Sequence, residues 1–213
     1  MPPTFSQTRA LSLQRRRNQR GEGARLKEEV IAAAMRLLDR SPTAELSLRK
    51  VAQEAGVSPP SIYAHFRDAK AVTTEIVRQC WEQMGDTMAQ AALDKASASM
   101  REIIKAQMDA YVRYAMDQPS RYQLLFAMQP IEETEPDLAL LQPAYRSLFH
   151  SIERWAGAGG VLPAKDPISA TLLTLSIAHG RVAFAHLAPV RPGNSAANIA
   201  TFVAEAVDQL FPD

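Results

Sequence analysis

Residues 48–66 read LRKVAQEAGVSPPSIYAHF, and the fold is decided there. Ser47 stands just before this stretch as a good N-cap, so a helix is expected from Ser47 to about Glu54. Gly56 follows where the chain must turn sharply, a position that often requires positive φ. Ser58 followed by Pro59 is a helix start signal, and a further helix is expected from Pro59 to about Ala64. Ala52 is small enough for the two helices to approach closely, while Val51, Val57 and Ile62 supply apolar contacts that set their angle. Two short helices joined this way form a helix-turn-helix. The polar face of the second is of a size to enter the major groove of B-DNA.

Upstream, Val30, Ile31, Ala34, Leu37 and Leu38 mark one face of a helix beginning near Arg25, and Ser41-Pro42-Thr43 ends it. Residues 1–22 lack such a pattern and carry Arg9, Arg15, Arg16, Arg17 and Arg20 against Glu22 alone, which predicts a flexible basic arm. Downstream, Asp68 can cap a long fourth helix with Val72, Ile76, Cys80, Met84 and Met88 along its apolar edge. Ile103, Ile104, Met108, Tyr111, Val112 and Ala115 mark the next helix, and Tyr122, Leu125 and Phe126 a shorter one. After the acidic stretch 131–137, Leu138, Leu141, Tyr145, Leu148, Ile152 and Trp155 alternate spacings of three and four, as a bundle helix requires. Gly157, Gly159 and Gly160 end that seam, and Asp166-Pro167 starts a helix apolar on most sides that runs to about Leu187. Ile199, Phe202, Val203, Ala206 and Leu210 give a last amphipathic helix. Strand alternation is absent. The expected fold is all-α with about nine helices: a basic arm over 1–22, a three-helix helix-turn-helix domain over 23–70, and a helical bundle over 71–213.

The chain has 213 residues, 46% of them apolar, which is enough for a sizeable core. Its net charge of +1 hides a division. Residues 1–70 hold 13 Lys/Arg against 7 Asp/Glu, whereas the remainder holds 11 against 16, so only the first part attracts a polyanion. Cys80 is the single cysteine, which rules out an intrachain disulfide and argues against a cysteine-based zinc site; no metal or cofactor is expected. There is no signal-peptide pattern and no apolar run near the roughly 18 residues of a membrane span, so a cytoplasmic protein with no membrane partner is expected. His65, His150, His179 and His186 form no HExxH pattern, and no phosphate loop or nucleophile motif is present, so no enzyme is expected.

Arg25–Leu38 followed by Ser47–Val72 resembles the DNA-binding domain of TetR/AcrR-type bacterial transcriptional regulators. The resemblance rests on Ala33, Val51-Ala52, Ala55-Gly56-Val57-Ser58, Ile62-Tyr63, His65-Phe66 and Lys70. His179-Gly180 is also similar to the His-Gly of the WHG-type C-terminal domain of some members, with Leu175 about where those have Trp. The resemblance implies phosphate contacts from Tyr63 and His65, with Lys70 and the fourth helix N-terminus adding to them. Base contacts would fall to the start of the third helix and the exposed face of the second. Pro59 and Pro60 offer only apolar contact there, so readout shifts to Arg49, assisted by Ser47, Ser58 and Ser61. Arg49 either reads a guanine or is a solvated or phosphate-contacting side chain. Arg15, Arg16, Arg17 and Arg20 either enter an adjacent minor groove, simply add phosphate attraction, or form a solvated tail. Phe66 is expected in the core.

The resemblance further implies a bundle that binds a small-molecule effector and dimerises. Cys80, Met84, Met108, Tyr111, Tyr122, Phe126, Met128, Trp155, His179 and Phe184 are the candidate pocket residues, each of which taken singly reads first as an ordinary core residue. His179 needs a polar partner in its apolar helix. Leu172, Val182, Phe202, Val203, Ala206 and Leu210 are the candidate dimer contacts. The expected function is a ligand-responsive regulator, most often a repressor in that family, that binds a palindromic DNA operator as a homodimer. The rival is a helical ligand carrier or scaffold with an inactive reader.

Overall fold

A computed structural model describes residues 22–40, 46–127, 143–189 and 191–212. The basic arm with Arg15, Arg16 and Arg17, and the stretch holding Met128, Leu138 and Leu141, lie outside them. Among the described residues there are nine helices and no strands: α1 (Glu22–Arg40), α2 (Leu48–Ala55), α3 (Pro59–Tyr63), α4 (Ala69–Asp94), α5 (Met100–Asp117), α6 (Pro119–Ala127), α7 (Pro143–Gly157), α8 (Pro167–Leu187) and α9 (Ala196–Leu210).

Local chemistry accounts for the helix ends in the first three elements. The Ser47 hydroxyl accepts from Lys50 N at 3.3 Å and opens α2. Gly56 closes α2 at φ 68°, the left-handed region that favours glycine, and its N–H reaches back to the carbonyls of Ala52 and Gln53. Ser58 opens α3 without a side-chain cap bond. Pro59 and Pro60 have no N–H to offer, and Ser61 N is taken by Ser58 O at 2.9 Å, so the Ser58 hydroxyl turns to Ser61 Oγ at 2.8 Å. Helix α3 ends at Tyr63, one residue before the expected Ala64.

These helices hold each other through Val30, Ile31, Ala34, Val51, Ala52, Ile62 and Phe66, all buried. Their core is continuous with that of the bundle, because α4 contributes Val72 and Ile76 at one end and Cys80, Met84 and Met88 further along. At 26 residues, α4 spans about 39 Å. Asp68 caps it, accepting from Ala71 N at 2.8 Å, and that hydrogen bond lowers the carboxyl pKa. In the bundle, α4 packs on α5 and α7, α5 on α9, and α8 on α7 and α9.

Glu54 of α2 pairs with Arg36 and Arg40 of α1, and two further side-chain groups tie α1 to the bundle. Glu75 on α4 accepts from Arg78 at 2.7 Å and from Lys27 of α1 at 3.3 Å; the Arg78 hydrogen bond is the main reason its pKa falls to about 2. Arg121 on α6 donates to Gln118 at 2.6 Å and Gln83 at 3.4 Å and lies 3.9 Å from Asp39 at the end of α1.

Helix α8 corrects the expectation about apolar runs. Over an 18-residue window its mean hydropathy reaches 1.3, enough by length and composition to cross a membrane. The inner face of this helix carries the buried Ala170, Thr174, Ala178 and Val182, while Leu172, Leu173, Phe184 and Leu187 stay exposed. Apolar surface on both faces is what a helix needs when it serves the protomer core on one side and a subunit contact on the other.

Candidate functional site

The reader presents a connected polar surface. Arg49, Lys50 and Gln53 are exposed along α2, and Ser58, Pro59 and Pro60 are exposed at the start of α3. Tyr63 keeps 61% of its surface exposed although its neighbour Ile62 is fully buried, so the α3 phenol is held outward on an anchored turn. His65 is half-buried, and a Cβ on Gly23 would come within 3.3 Å of its ring, so the imidazole lies close to the start of α1. Lys70 is exposed in the first turn of α4, and Phe66 is buried, in the core as expected. Ser47 and Ser61 are half-buried and already hydrogen-bonded within the motif. Lys50 and Gln53 were missed in the sequence reading. Lys50 adjoins Arg49, and Gln53 follows Arg49 by four residues and Lys50 by three, the spacing of one outer helical stripe.

A second constellation lies in the bundle. Tyr111 of α5, Tyr122 of α6 and His179 of α8 converge: the two hydroxyls are 2.7 Å apart, and Tyr122 Oη is 2.6 Å from His179 Nδ1. Around them, Phe126 lies 4.1 Å from His179 and 4.9 Å from Tyr122 between ring centroids. Trp81 meets Phe126 at 5.6 Å and Tyr145 at 5.2 Å, both edge to face. His186, one side of its helix shared with His179, has its ring 5.4 Å from Tyr122. Cys80, Met84 and Met108 are fully buried in the same core, and Tyr114 Oη donates to the Cys80 carbonyl at 3.3 Å.

Burial raises the pKa of Tyr111 and Tyr122 and of the Cys80 thiol, so all three are neutral. Burial also lowers His179, with the neighbouring His186 adding to the effect, and burial lowers His186. With the neutral ring accepting at Nδ1, Tyr122 donates to His179 and in turn takes a hydrogen bond from Tyr111. Because both histidine pKa values fall on folding, the unfolded chain binds more protons and stability drops as pH falls below the ordinary 6.5. Melting temperatures measured downward through that pH are expected to decline more steeply for the parent than for His179→Gln; equal slopes would contradict this assignment.

The structure separates several residues that the sequence grouped. Trp155 is remote from the Tyr–His cluster: its Nε1 donates to Val161 O at 3.2 Å and its ring packs on Phe211 at 5.7 Å. Gly160 is required beneath it, since a Cβ there would sit 2.2 Å from Nε1. Phe184 is 70% exposed on the outer side of α8. Val182 and Val203 are 0% and 2% exposed, so they belong to the protomer core rather than to an outward face. Leu172 and Phe202 each keep 46% exposed, and the Arg181 guanidinium lies 6.0 Å from the Phe202 ring centroid. Ala206 and Leu210 are half-buried. Trp81 and Tyr145 were not foreseen in the cluster; helical spacing alone does not distinguish them from ordinary seam residues.

Residues 30–74 match the family described as "Bacterial regulatory proteins, tetR family", and residues 104–210 match "Tetracyclin repressor-like, C-terminal domain". The fold recurs among solved structures, three of which illustrate it. One is a protein of unknown function from Rhodococcus sp. RHA1, 19% identical over 94% of this chain and 100% of that one, with TM-score 0.72. Another is a putative tetR-family transcriptional regulator from Mesorhizobium loti MAFF303099, 19% identical over 89% and 98%, TM-score 0.66. The third is SmeT, the repressor of the Stenotrophomonas maltophilia multidrug efflux pump SmeDEF, 14% identical over 87% and 89%, TM-score 0.64. The chain belongs to the tetR family. It is a DNA-binding transcriptional regulator, of a class whose members bind DNA and small-molecule ligands and act as dimers and are generally not enzymes.

Proposed function

We propose that the protein is a dimeric repressor that grips a palindromic operator and releases it when a small molecule enters the bundle. The observation that carries this reading is the course of α4. This one helix bears Lys70 in its first turn beside the reader and Cys80, Trp81 and Met84 at the aromatic core. Displacement of its middle tilts its start. SmeT supports the reading, being a repressor and also observed in complex with triclosan.

In this proposal residues 23–70 form the DNA-binding part, 71–213 form the effector-binding and dimerising part, and the arm over 1–22 adds phosphate or minor-groove contacts. The outward α8 and α9 surfaces join two protomers, placing the two α3 helices roughly 34–36 Å apart, one turn of DNA. An effector that changes this separation weakens binding through a coupling of about 1–3 kcal/mol. The test is an operator titration with and without effector; equal affinity would refute release.

Contacts within the reader separate by their chemistry. Arg49→Ala is expected to cost about 1–3 kcal/mol and to relax specificity at one base pair, if the guanidinium reads guanine. Lys70→Ala is expected to weaken all sequences alike and to flatten the salt dependence by about one counterion. Binding curves against operator variants at two salt concentrations check both.

A further inference from the structure

We propose that the effector of this protein is an uncharged hydroxylated aromatic, a phenol, whose hydroxyl joins the Tyr111–Tyr122–His179 hydrogen-bond chain and whose ring replaces part of the aromatic packing between Trp81 and Phe126. This rests on the reading of the chain as a ligand-responsive regulator and specifies the chemistry of that same bundle site.

Charge complementarity is the first argument. Among the described residues the three chain members hydrogen-bond to one another, and all are neutral groups. Cations on the elements around them are engaged elsewhere. Arg121 of α6 turns to Gln118, Gln83 and Asp39, Arg113 of α5 to Asp109 at 2.6 Å, and Arg181 of α8 to Asn194 at 3.1 Å. An anion entering here would shed its water with no cation to receive it. A cation fares no better. In each of the pairs Trp81–Phe126, Trp81–Tyr145 and Tyr111–Tyr122 one ring face is already met by its neighbour's edge, at interplanar angles of 75°, 70° and 83°, which leaves less aromatic face to a cation than to a ring that repeats the edge-to-face contact.

The second argument is an unused acceptor. His186 Nε2 is buried and has no hydrogen-bond partner among the described residues, although its ring faces Tyr122. The Gln107 side chain, one turn before Tyr111 on α5, is fully buried and leaves Oε1 unpartnered while Nε2 binds Ser147 Oγ at 2.6 Å. Buried acceptors left without donors are costly and favour an incoming O–H. A hydroxyl both donates and accepts, so it can insert into a Tyr–Tyr–His chain without breaking its sense. A methyl or a carboxylate cannot.

The experiment uses the full chain carrying Trp155→Phe, which leaves Trp81 as the one tryptophan, since the chain has two. Four naphthalene probes are titrated while Trp81 fluorescence and heat are followed: 2-naphthol, 2-methylnaphthalene, 2-naphthoate and 2-naphthylmethylammonium. Saturable binding is expected for naphthol, roughly tenfold weaker binding for methylnaphthalene, and none for the two ions. Tyr122→Phe is expected to weaken naphthol about tenfold and to leave methylnaphthalene unchanged, a split that a merely structural tyrosine would not produce. The proposal is overturned if naphthol fails to saturate, if either ion binds as tightly, or if Tyr122→Phe weakens both neutral probes equally. Operator binding on the same samples separates the two levels. DNA that is bound but unmoved by naphthol overturns this proposal alone. DNA that is never bound overturns the regulator reading, and this proposal with it.

Discussion

Leu172→Asp combined with Phe202→Asp is expected to yield monomers and to lower operator affinity by about two to four orders of magnitude. The two side chains each keep 46% of their surface exposed, and Phe184 at 70% and Leu187 at 82% extend the apolar surface along α8. A single protomer has no reason to expose so much hydrocarbon. Carboxylates placed at a two-fold contact meet their own symmetry mates, so each substitution both removes apolar burial and adds like-charge repulsion. Loss of the dimer turns a linked two-site interaction into two independent weak ones. Sedimentation and gel-shift titration report the two effects separately. A dimer that persists would move the interface away from α8 and α9. Val182 and Val203 are unsuitable for this test, because their burial within the protomer would turn it into a folding experiment.

The other large effect is expected at Ile62. Its side chain is 0% exposed and anchors a helix of only five residues. Ile62→Asp would bury an unpaired carboxylate in the contact with Val51 and Ala52, a cost of about 3–5 kcal/mol. So short a helix has no independent stability, so α3 should leave its place and carry Tyr63 with it. Specific operator binding is expected to vanish while the bundle keeps its cooperative melting. Pro60→Ala, on the exposed side of the same helix, should leave melting unchanged. If Ile62→Asp bound the operator normally, α3 would not be the reading element.

The helix-turn-helix was legible because its signals are local. Ser47, Gly56, Pro59 and Asp68 act on the backbone within one turn of their own position, and each marks a helix boundary in the folded chain to within a residue or so. The periodic stripes of α4, α5 and α9 were legible for the same reason. Helical spacing states which residues share a face whatever the face meets, as with Val72, Ile76, Cys80, Met84 and Met88.

What the stripe faces is another matter, and only the tertiary structure decided it. Trp155 and Tyr145 lie on one sequence seam of α7, yet one packs on Phe211 and the other on Trp81. Val182 and Phe184 are two residues apart on α8, and the first is core while the second faces out. The meeting of Tyr111, Tyr122 and His179 joins three helices across 68 residues of chain. Contacts of that kind depend on how the helices cross, and crossing angles arise from the interlocking of many side chains at once rather than from any local signal.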